Sequence, residues 1–433
     1  MDIELGLVFL CVLFVGFLVI GVPIAFALAI SSLAVMVYEG NPTWLLFQRM
    51  TDGMKIYSLL AIPFFIFAGE LMLRGRIADR LVELATAIVG WMRGGLGIVN
   101  VFASMLFGGI SGSAVADTSA LGSILIPMMR EKKYDDDYSV NVTVTSSVAG
   151  ILIPPSHNMI LYAVAAGGGI SIAKLFFAGI VPGVIMCACL GFAAWIVAVK
   201  RGYRAEKFPG FKATLMILLA TIPGLMTAVI IIGGVLTGIF TVTESAAIGA
   251  IYAMVVAVLV YRNLSLRGFL EALGASVRTT AMVMILVGGA QGFSWLLTFY
   301  SVPEMIIDTL TGISDNRYVV FFLINLILLF LGMVMDMAGL ILICTPIFLP
   351  VMVNFGMDPI QFGMVMMMNL GVGLCTPPVG TLLFVGCSIA RIRMEDAVKT
   401  IWPFYAAIFV ALMLLTYVPA ISMALPQWLG SMI

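Results

Sequence analysis

Residues Leu106–Pro127 read LFGGISGSAVADTSALGSILIP, an apolar segment whose centre consists of glycine, serine and a single acid. A straight helix through hydrocarbon would not place its weakest helix formers at its midpoint. A re-entrant hairpin would, because the backbone at its tip faces protein or water rather than lipid. The stretch therefore predicts two half-helices over residues 95–130 that meet at Gly108–Ser113. Two complete spans are the alternative.

A second segment, residues 318–352, has the same organisation around Gly332–Gly339. Two other apolar runs are interrupted by proline pairs: residues 137–168 at Ile153–Ser156, and residues 359–390 at Thr376–Gly380. A Pro-Pro pair removes two N–H donors and obstructs the preceding helical carbonyls. Both runs are therefore predicted to be spans that unwind near mid-membrane.

These interruptions indicate a duplication. Four residues recur 223 positions later in the same local context: Pro127, Gly150, Pro154 and Pro155 reappear as Pro350, Gly373, Pro377 and Pro378. Internal symmetry with matching Gly/Pro-interrupted segments is the best sequence pointer to the binding site of a secondary transporter.

The composition agrees with a membrane protein. Residues of the AVILMFWYC set make up 62% of the 433 residues and charged residues only 10%, too few charges to cover a soluble surface. The net charge is zero, with 22 basic and 22 acidic residues, so no basic field exists for a nucleic acid. The apolar runs of about 20 residues fit membrane-spanning helices rather than the strands of an outer-membrane barrel.

The fold class predicted is an all-α polytopic membrane protein. The segments Ile77–Trp91 and Pro303–Ile313 mix charged and apolar residues and are interpreted as interfacial helices that brace the hairpins. An ordinary amphipathic connector is the alternative. The remaining spans are expected near residues 4–21, 22–38 (after a break at Gly21–Pro23), 57–73, 174–199, 213–236, 241–261, 275–298 and 398–424.

The positive-inside rule orients the chain. With the basic loop Lys200–Lys212 in the cytoplasm, four of the 22 basic residues fall on the outer side: Arg49, Lys55, Lys174 and Arg317. The two hairpins then enter from opposite faces, so the repeat is inverted. Both termini are expected on the outer side.

Acidic residues within the membrane are costly and mark candidate sites. Asp336 lies in the second tip and Asp117 follows the first, and each could hold a cation or cap the second half-helix. Glu70 is expected to form an interfacial ion pair with Arg74 or Arg76. Glu244 is expected to cap a helix or lie in a packing interface.

Two sodium sites are predicted from uncharged oxygens at the tips and breaks, which are hard ligands. The first consists of Ser111, Gly112, Ser113 and carbonyl or hydroxyl oxygens from Ile153 to Ser156. The second consists of Asp336 and carbonyls from Gly373 to Thr376. The expected substrate contacts are Asp117, His157, Asn158, Ala338, Pro377 and Thr381.

The sequence contains no GxxxxGK[ST] loop and no Ser-His-Asp or HExxH set, so an ion gradient rather than ATP is expected to drive transport, and an enzyme is not expected. An ion channel is the other rival, since polar hairpin tips also build selectivity filters. A channel would more naturally be a symmetric oligomer of short subunits.

The chain resembles the large membrane subunit of tripartite ATP-independent periplasmic (TRAP) transporters along essentially its whole length. The resemblance is carried by Leu106–Pro127, by GILIPP at Gly150–Pro155, by GIFTVTESAA at Gly238–Ala247 and by GLCTPPVG at Gly373–Gly380. Two positions depart from the family: Val242, where Pro is frequent, and Ala338-Gly339, where Thr-Pro is usual.

The resemblance implies a sodium symporter of the elevator type in the bacterial inner membrane, working with two partners. These are a small membrane subunit of about four spans and a soluble periplasmic binding protein that delivers an organic anion. Dicarboxylates, sialic acids and other sugar acids are the substrates implied, and Ser156-His157-Asn158 is more similar to the sialic-acid branch. A sodium/dicarboxylate symporter that works alone is the alternative.

The resemblance also implies a scaffold and a mobile transport domain. The expected scaffold segments are residues 1–56 (N-terminal helices), 57–92 (a span and the first arm helix), 200–274 (the cytoplasmic loop and further spans) and 275–316 (a span and the second arm helix). The expected transport segments are residues 93–199 and 317–397, each with a hairpin and a broken helix, and residues 398–433 form the C-terminal span.

Overall fold

The computed structural model describes residues 3–430, which form helices joined by short turns and contain no β-strand. Within that range, seven helices are long and apolar enough to cross a membrane, and two bent helix pairs pass the same test of length and composition. The prediction of an all-α polytopic membrane protein is confirmed.

The N-terminal segment begins with two antiparallel helices. α1 (Ile3–Val19) and α2 (Ile24–Tyr38) are separated by a turn in which Gly21 has φ +84°. The break predicted at Gly21–Pro23 is confirmed. A third helix, α3 (Thr43–Met54), was not predicted, because its polar residues give no membrane-length apolar run.

The other helices outside the predicted hairpins and broken helices include both predicted interfacial helices, which are separate and amphipathic. Among them, α14 (Leu266–Phe299) packs against α2, α3 and α4 (Ala61–Arg74), and α13 (Val242–Val255) packs against α4. The bounds are α4 (Ala61–Arg74, after a 3₁₀ turn at Tyr57–Leu60), α5 (Ile77–Val89), α12 (Phe211–Leu236), α13 (Val242–Val255, continued by a π turn to Val260), α14 (Leu266–Phe299) and α15 (Val302–Ile313).

Both predicted hairpins are helix pairs joined by two-residue turns. The first consists of α6 (Gly95–Ser111) and α7 (Ala114–Glu131), and the second of α16 (Arg317–Val334) and α17 (Met337–Asn354). The predicted tips, Gly108–Ser113 and Gly332–Gly339, contain these turns.

Both proline pairs interrupt helices, as predicted. The first broken helix bends by 53° between its halves. The bond between the two prolines is cis in both breaks. The first broken helix consists of α8 (Asp136–Ser146), α9 (Ala149–Leu152) and α10 (His157–Ala165), and it is followed by α11 (Ile172–Lys200). The second consists of α18 (Pro359–Leu374) and α19 (Thr381–Ala390), and it is followed by α20 (Met394–Val398).

The C-terminal region corrects a prediction. One span was expected over residues 398–424, but α21 (Trp402–Tyr417) and α22 (Ala420–Gly430) meet at an angle of 57°. Pro419 lies in the bend, where it has no N–H to continue the ladder of α21.

Buried side-chain hydrogen bonds connect each hairpin to its broken helix. Asn100 on α6 donates to Thr143 Oγ1 on α8 over 2.6 Å, and Ser146 donates to Asn100 Oδ1 over 3.2 Å. In the second half, Asn369 on α18 donates to Asn325 Oδ1 on α16 over 2.7 Å. Since buried polar groups are costly without partners, these pairs fix how each hairpin packs on its broken helix.

The loop after α11 is anchored by charge. Arg201 Nη1 contacts carboxylate oxygens of Asp135 at 2.9 Å and Asp137 at 2.8 Å. The Tyr203 hydroxyl donates to Asp135 over 2.6 Å. Burial and this hydrogen bond raise the pKa of the Tyr203 phenol to about 12, so the phenol keeps its proton at neutral pH. The loop thus packs beside the start of α8.

Candidate functional site

The serines of the first hairpin tip form hydrogen bonds within the tip. Gly112 ends α6 in the left-handed conformation (φ +61°), and Ser113 caps α7 by accepting from the Ala116 N–H over 3.4 Å. The Ser111 hydroxyl accepts from the Ser113 N–H over 3.3 Å and donates to Asp117 Oδ1. The tip therefore presents two hydroxyls and a carboxyl group within seven residues, from Ser111 to Asp117.

Asp117 is completely buried, and its second oxygen, Oδ2, has no hydrogen-bond partner among the described residues. That oxygen lies against Gly150 on α9, where a Cβ would be only 2.7 Å from it. A buried carboxylate with an unpaired oxygen is costly unless a cation or a proton neutralises it. Asp117 thus provides a carboxyl group with one unpaired oxygen that faces the first broken helix.

The first break supplies further unpaired oxygens. Ser156 is fully buried, and its Oγ has no partner among residues 3–430. Over the same residues, no hydrogen bond reaches the carbonyls of Ile153, Pro154 and Pro155. The Pro155 carbonyl lies beside Gly112, where a Cβ would be 2.7 Å away. The structure therefore brings together the predicted cation residues of the tip and of the first break.

His157 and Asn158 begin α10 beside this tip, and Asn158 is buried. His157, Ser111 and Ser113 line a cavity of about 370 Å³, whose opposite wall includes Gly69 and Glu70 of α4. Of the predicted substrate contacts, His157 is placed in a cavity beside the predicted cation residues.

The second tip has a different environment. Asp336 is exposed and caps α17, since its Oδ2 accepts from the Ala338 N–H over 3.0 Å. It lies in a cavity of about 620 Å³ whose other residues are mostly apolar and come from α16, from the end of α1 and from the turn between α1 and α2. Ala338 is half-buried in the first turn of α17.

Backbone groups at the second break form hydrogen bonds with neighbouring helices. The Cys375 carbonyl accepts from the Tyr405 hydroxyl of α21 over 2.6 Å, and the Val379 N–H donates to the Met333 carbonyl over 3.2 Å. Gly373 packs on Gly332, where its Cβ would be 2.5 Å from the carbonyl carbon. Gly373 and Thr376 thus lie beside the end of α16, and among the described residues no hydrogen bond joins either of them to Asp336.

Two other predicted contacts lie at the second break. Pro377 is half-buried, and Thr381 begins α19 after Gly380, which has φ +49°. The Thr381 Oγ1 atom is buried without a partner in the described part of the chain. This unpaired oxygen at the second break is therefore available to bind a ligand.

The remaining acids have structural partners. Glu70 pairs with Arg74 (3.4 Å), and Arg74 also contacts Glu271 (2.6 Å), so the predicted interfacial pair is confirmed with Arg74 rather than Arg76. Glu244 forms a capping box with Thr241 at the start of α13, which confirms the predicted cap.

Sequence reasoning missed Tyr405 and the Asn100 and Asn325 pairs. The offset of 223 positions aligns Ser146 with Asn369 but leaves Asn100 and Asn325 two positions out of register, so it gave no signal for the asparagines. Tyr405 gave no signal, since its contact with Cys375 joins separate helices.

Membrane-length helices, two hairpin tips and two proline-broken helices that face them define a polytopic membrane protein of the secondary-transporter class. The family model described as "Tripartite ATP-independent periplasmic transporter, DctM component" matches residues 10–421. The chain belongs to this family.

Several relatives align along almost the whole chain. The chain is 42% identical to the uncharacterized protein YgiK of Salmonella typhimurium, with 94% of each chain covered. It is 38% identical to the sialic acid TRAP transporter large permease protein SiaM of Vibrio cholerae, covering 95% of this chain and 96% of that one. It is 36% identical to the 2,3-diketo-L-gulonate TRAP transporter large permease protein YiaN of Escherichia coli, covering 96% and 97%.

Solved structures support the fold. The YdaH transporter of Alcanivorax borkumensis superposes with a TM-score of 0.64 at 13% identity, covering 89% of this chain and 87% of that one. MtrF of Neisseria gonorrhoeae gives a TM-score of 0.59 at 13% identity, covering 85% and 82%. Likeness at this identity concerns the fold alone.

Proposed function

We propose that the chain is the permease of a sodium-coupled uptake system for an organic anion in the bacterial inner membrane. The observation that carries the proposal is the buried Asp117 carboxyl group, whose Oδ2 lies against Gly150 of the first broken helix without a hydrogen-bond partner among the described residues. The Ser156 hydroxyl in the break of that helix is also unpaired. Oxygen ligands that include one carboxylate suit a monovalent cation in a low-dielectric site.

The cation site of the first tip comprises Asp117, Ser111, Gly112, Ser113 and the oxygens of Ile153–Ser156. The second site, with Asp336, Gly373 and Thr376, is weaker in this conformation, because Tyr405 already occupies the Cys375 carbonyl. The substrate binds between the tips, where the start of α10 contributes backbone N–H groups that attract an anion.

The substrate is a carboxylate or a sulfonate. The names of relatives include sialic acid, 2,3-diketo-L-gulonate, C4-dicarboxylate and isethionate, all of them organic anions. Those relatives are 35% to 38% identical to this chain, so identity does not single out one substrate. A sialic acid remains the preferred candidate, from the Ser156-His157-Asn158 motif.

Transport proceeds by an elevator movement of the two hairpins and two broken helices against the scaffold. The equivalent glycine contacts, Gly108 on Gly150 and Gly332 on Gly373, support a rigid pairing of each hairpin with its broken helix. A small membrane subunit and a periplasmic binding protein complete the system. The isethionate relative, named DctMQ and only 65% covered by the alignment, is long enough to contain an additional segment.

Uptake into proteoliposomes tests the proposal. The chain is reconstituted with its small subunit, the binding protein is added outside, and labelled N-acetylneuraminate, succinate and 2,3-diketo-L-gulonate are compared. An inward sodium gradient should drive uptake of at least one of them without ATP. Equal uptake with potassium on both sides would refute sodium coupling.

A symporter that works alone is the alternative that the sequence leaves open. Saturable uptake by the chain in the absence of a binding protein would establish it.

A further inference from the structure

The cavity between α4 and the first tip has an acidic side chain in its wall. Its volume is about 370 Å³, and the α4 residues that line it are Ile66, Gly69, Glu70 and Leu73. Their spacing of three and four positions places them on one face of the helix, so Glu70 belongs to the face of α4 that borders the cavity. Among the described residues, no lysine or arginine lines this cavity.

Protein groups hold the Glu70 carboxylate only weakly. Within residues 3–430 its ion-pair contact is Arg74 Nε at 3.4 Å, and that Nε has no hydrogen-bond partner. The other end of the Arg74 guanidinium, Nη1, contacts Glu271 on α14 at 2.6 Å, and Arg74 does not line the cavity. The negative charge of Glu70 therefore remains at the cavity wall, on a side chain that is 26% exposed.

Hydroxyl groups form much of the remaining polar lining. Ser119 of α7 and Thr279 of α14 line the cavity, both are exposed, and neither hydroxyl has a hydrogen-bond partner in the described part of the chain. A serine or threonine hydroxyl both donates and accepts, whereas a carboxylate accepts only. Together these groups suit the hydroxyls of a ligand, which donate to Glu70 and exchange hydrogen bonds with Ser119 and Thr279.

The same cavity separates the group that attracts an anion from the group that repels one. His157 lines it at the start of α10, where helix N–H groups attract a carboxylate. A second carboxylate on the same ligand would share the cavity with Glu70, and two like charges repel strongly where little water screens them. An unfavourable charge placed against one ligand is an effective way to select another.

We propose that Glu70 restricts the substrate to hydroxylated monocarboxylates, because it accepts a hydrogen bond from a substrate hydroxyl and repels a second carboxylate. The inference rests on the proposed function, since it concerns the organic anion that the permease carries. It makes Glu70 a residue of the scaffold that selects the substrate, opposite the hairpin tip that holds the cation.

Gluconate and glucarate form a matched pair of probes for this selection. Both are hydroxylated six-carbon acids, and they differ at C6, which is a hydroxymethyl group in gluconate and a second carboxylate in glucarate. Titration calorimetry on the purified full chain in sodium, without a binding protein, measures the preference of the permease itself. We expect gluconate to bind about tenfold more tightly than glucarate.

Three variants locate the cause of the preference. Glu70→Gln should reduce the ratio to about twofold or less, mainly by tightening the binding of glucarate, and Glu70→Asp should keep most of the preference because it keeps the charge. Glu83→Gln is the matched control. Glu83 also pairs with an arginine of its own helix, Arg80 at 3.5 Å, but it does not line the cavity, so its loss should leave the ratio unchanged.

The inference fails if wild-type protein binds glucarate as tightly as gluconate, or if gluconate does not bind at all. It also fails if Glu70→Gln leaves the ratio unchanged or Glu83→Gln lowers it equally. Should Glu70→Gln not fold, Glu70→Met, which has a similar volume and no charge, takes its place. Sodium-driven uptake of succinate by a chain that fails this binding test would leave the proposed function standing, whereas uptake that ignores sodium would refute that function and leave the binding ratio to decide on Glu70.

Discussion

The two hairpin tips arise from equivalent stretches of sequence, yet they place their acids differently. Asp117 is fully buried four residues into its second half-helix, and its Oδ2 is unpaired. Asp336 is exposed at the cap position of its own half-helix and bonded to the Ala338 N–H. The same sequence pattern thus provides one buried acid with an unpaired oxygen and one exposed acid that acts as a helix cap.

The two helix breaks that face the tips also differ in which of their oxygens have hydrogen-bond partners. At the first break, the Ser156 hydroxyl is unpaired, whereas at the second the Cys375 carbonyl is occupied by Tyr405. Unpaired buried oxygens are costly, so they persist where a ligand repays the cost. The comparison indicates that the acid of the first half keeps an unpaired oxygen for a ligand, whereas in the second half Asp336 and the Cys375 carbonyl have partners and the Thr381 hydroxyl remains unpaired.

The most severe test of this comparison is Asp117→Asn. The amide keeps the shape but removes the charge that would hold the cation. We expect sodium-driven uptake to fall by about 100-fold, because a charged contact in a desolvated site is worth about 3 kcal/mol. The measurement is initial uptake into proteoliposomes as a function of sodium concentration.

Its control is Asp117→Glu, which keeps the charge with a longer side chain and should retain partial uptake at high sodium. Monodisperse protein at wild-type yield is required for both variants. Sodium-dependent uptake by Asp117→Asn at the wild-type rate would remove Asp117 from the cation site.

A cross-link tests whether the second tip moves. Gly339 of α17 contacts Ile24 of α2, with its Cβ position 3.3 Å from Ile24 Cγ2. In a chain without the six native cysteines, a Gly339→Cys, Ile24→Cys pair should form a disulfide that joins the predicted transport domain to the scaffold. We expect uptake to fall by about tenfold or more on oxidation and to return on reduction, since a locked two-state element cannot alternate.

The matched control is Leu46→Cys with Gly292→Cys, which joins α3 to α14 within the predicted scaffold. That disulfide should leave uptake unchanged. If both cross-links leave transport intact, small local gates would replace the elevator movement.

Sequence alone predicted the tips and the breaks because glycine and Pro-Pro pairs act locally on the backbone. It did not predict that Asp117 is buried and Asp336 exposed, because burial depends on which distant helix packs on each tip. For Asp117 that contact is Gly150, 33 positions away, whereas the second tip faces the turn at Gly21–Ile24. The bend at Pro419 was missed because proline within an apolar run is compatible with both a straight and a bent span.

Asp336→Asn separates the role of Asp336 as a helix cap from its role as a negative charge. Asparagine caps a helix as well as aspartate, so the variant removes only the charge. We expect the half-saturating sodium concentration to rise by at most about fivefold, or about 1 kcal/mol, because the Asp336 carboxylate already accepts from the Ala338 N–H and the cation is held at the first tip. Asp336→Ala, which removes the cap as well, should also lower the melting temperature. A complete loss of uptake in Asp336→Asn would place the essential carboxylate at the second tip and reverse the comparison.

The smallest effect is expected from Tyr405→Phe, which makes the second break resemble the first by releasing the Cys375 carbonyl. The ring is kept, and one part-buried hydrogen bond is lost at a cost of about 1 kcal/mol. The melting temperature should therefore fall by only about one degree, while uptake at saturating sodium stays within about twofold of wild type, because the first tip carries the cation. Tyr417→Phe is the control, since its hydroxyl makes an exposed bond to Tyr318 and its loss should change neither quantity. If Tyr405→Phe reduced uptake as strongly as Asp117→Asn, the second break would be part of the essential site, and the hydrogen bond from Tyr405 would be the feature that positions it.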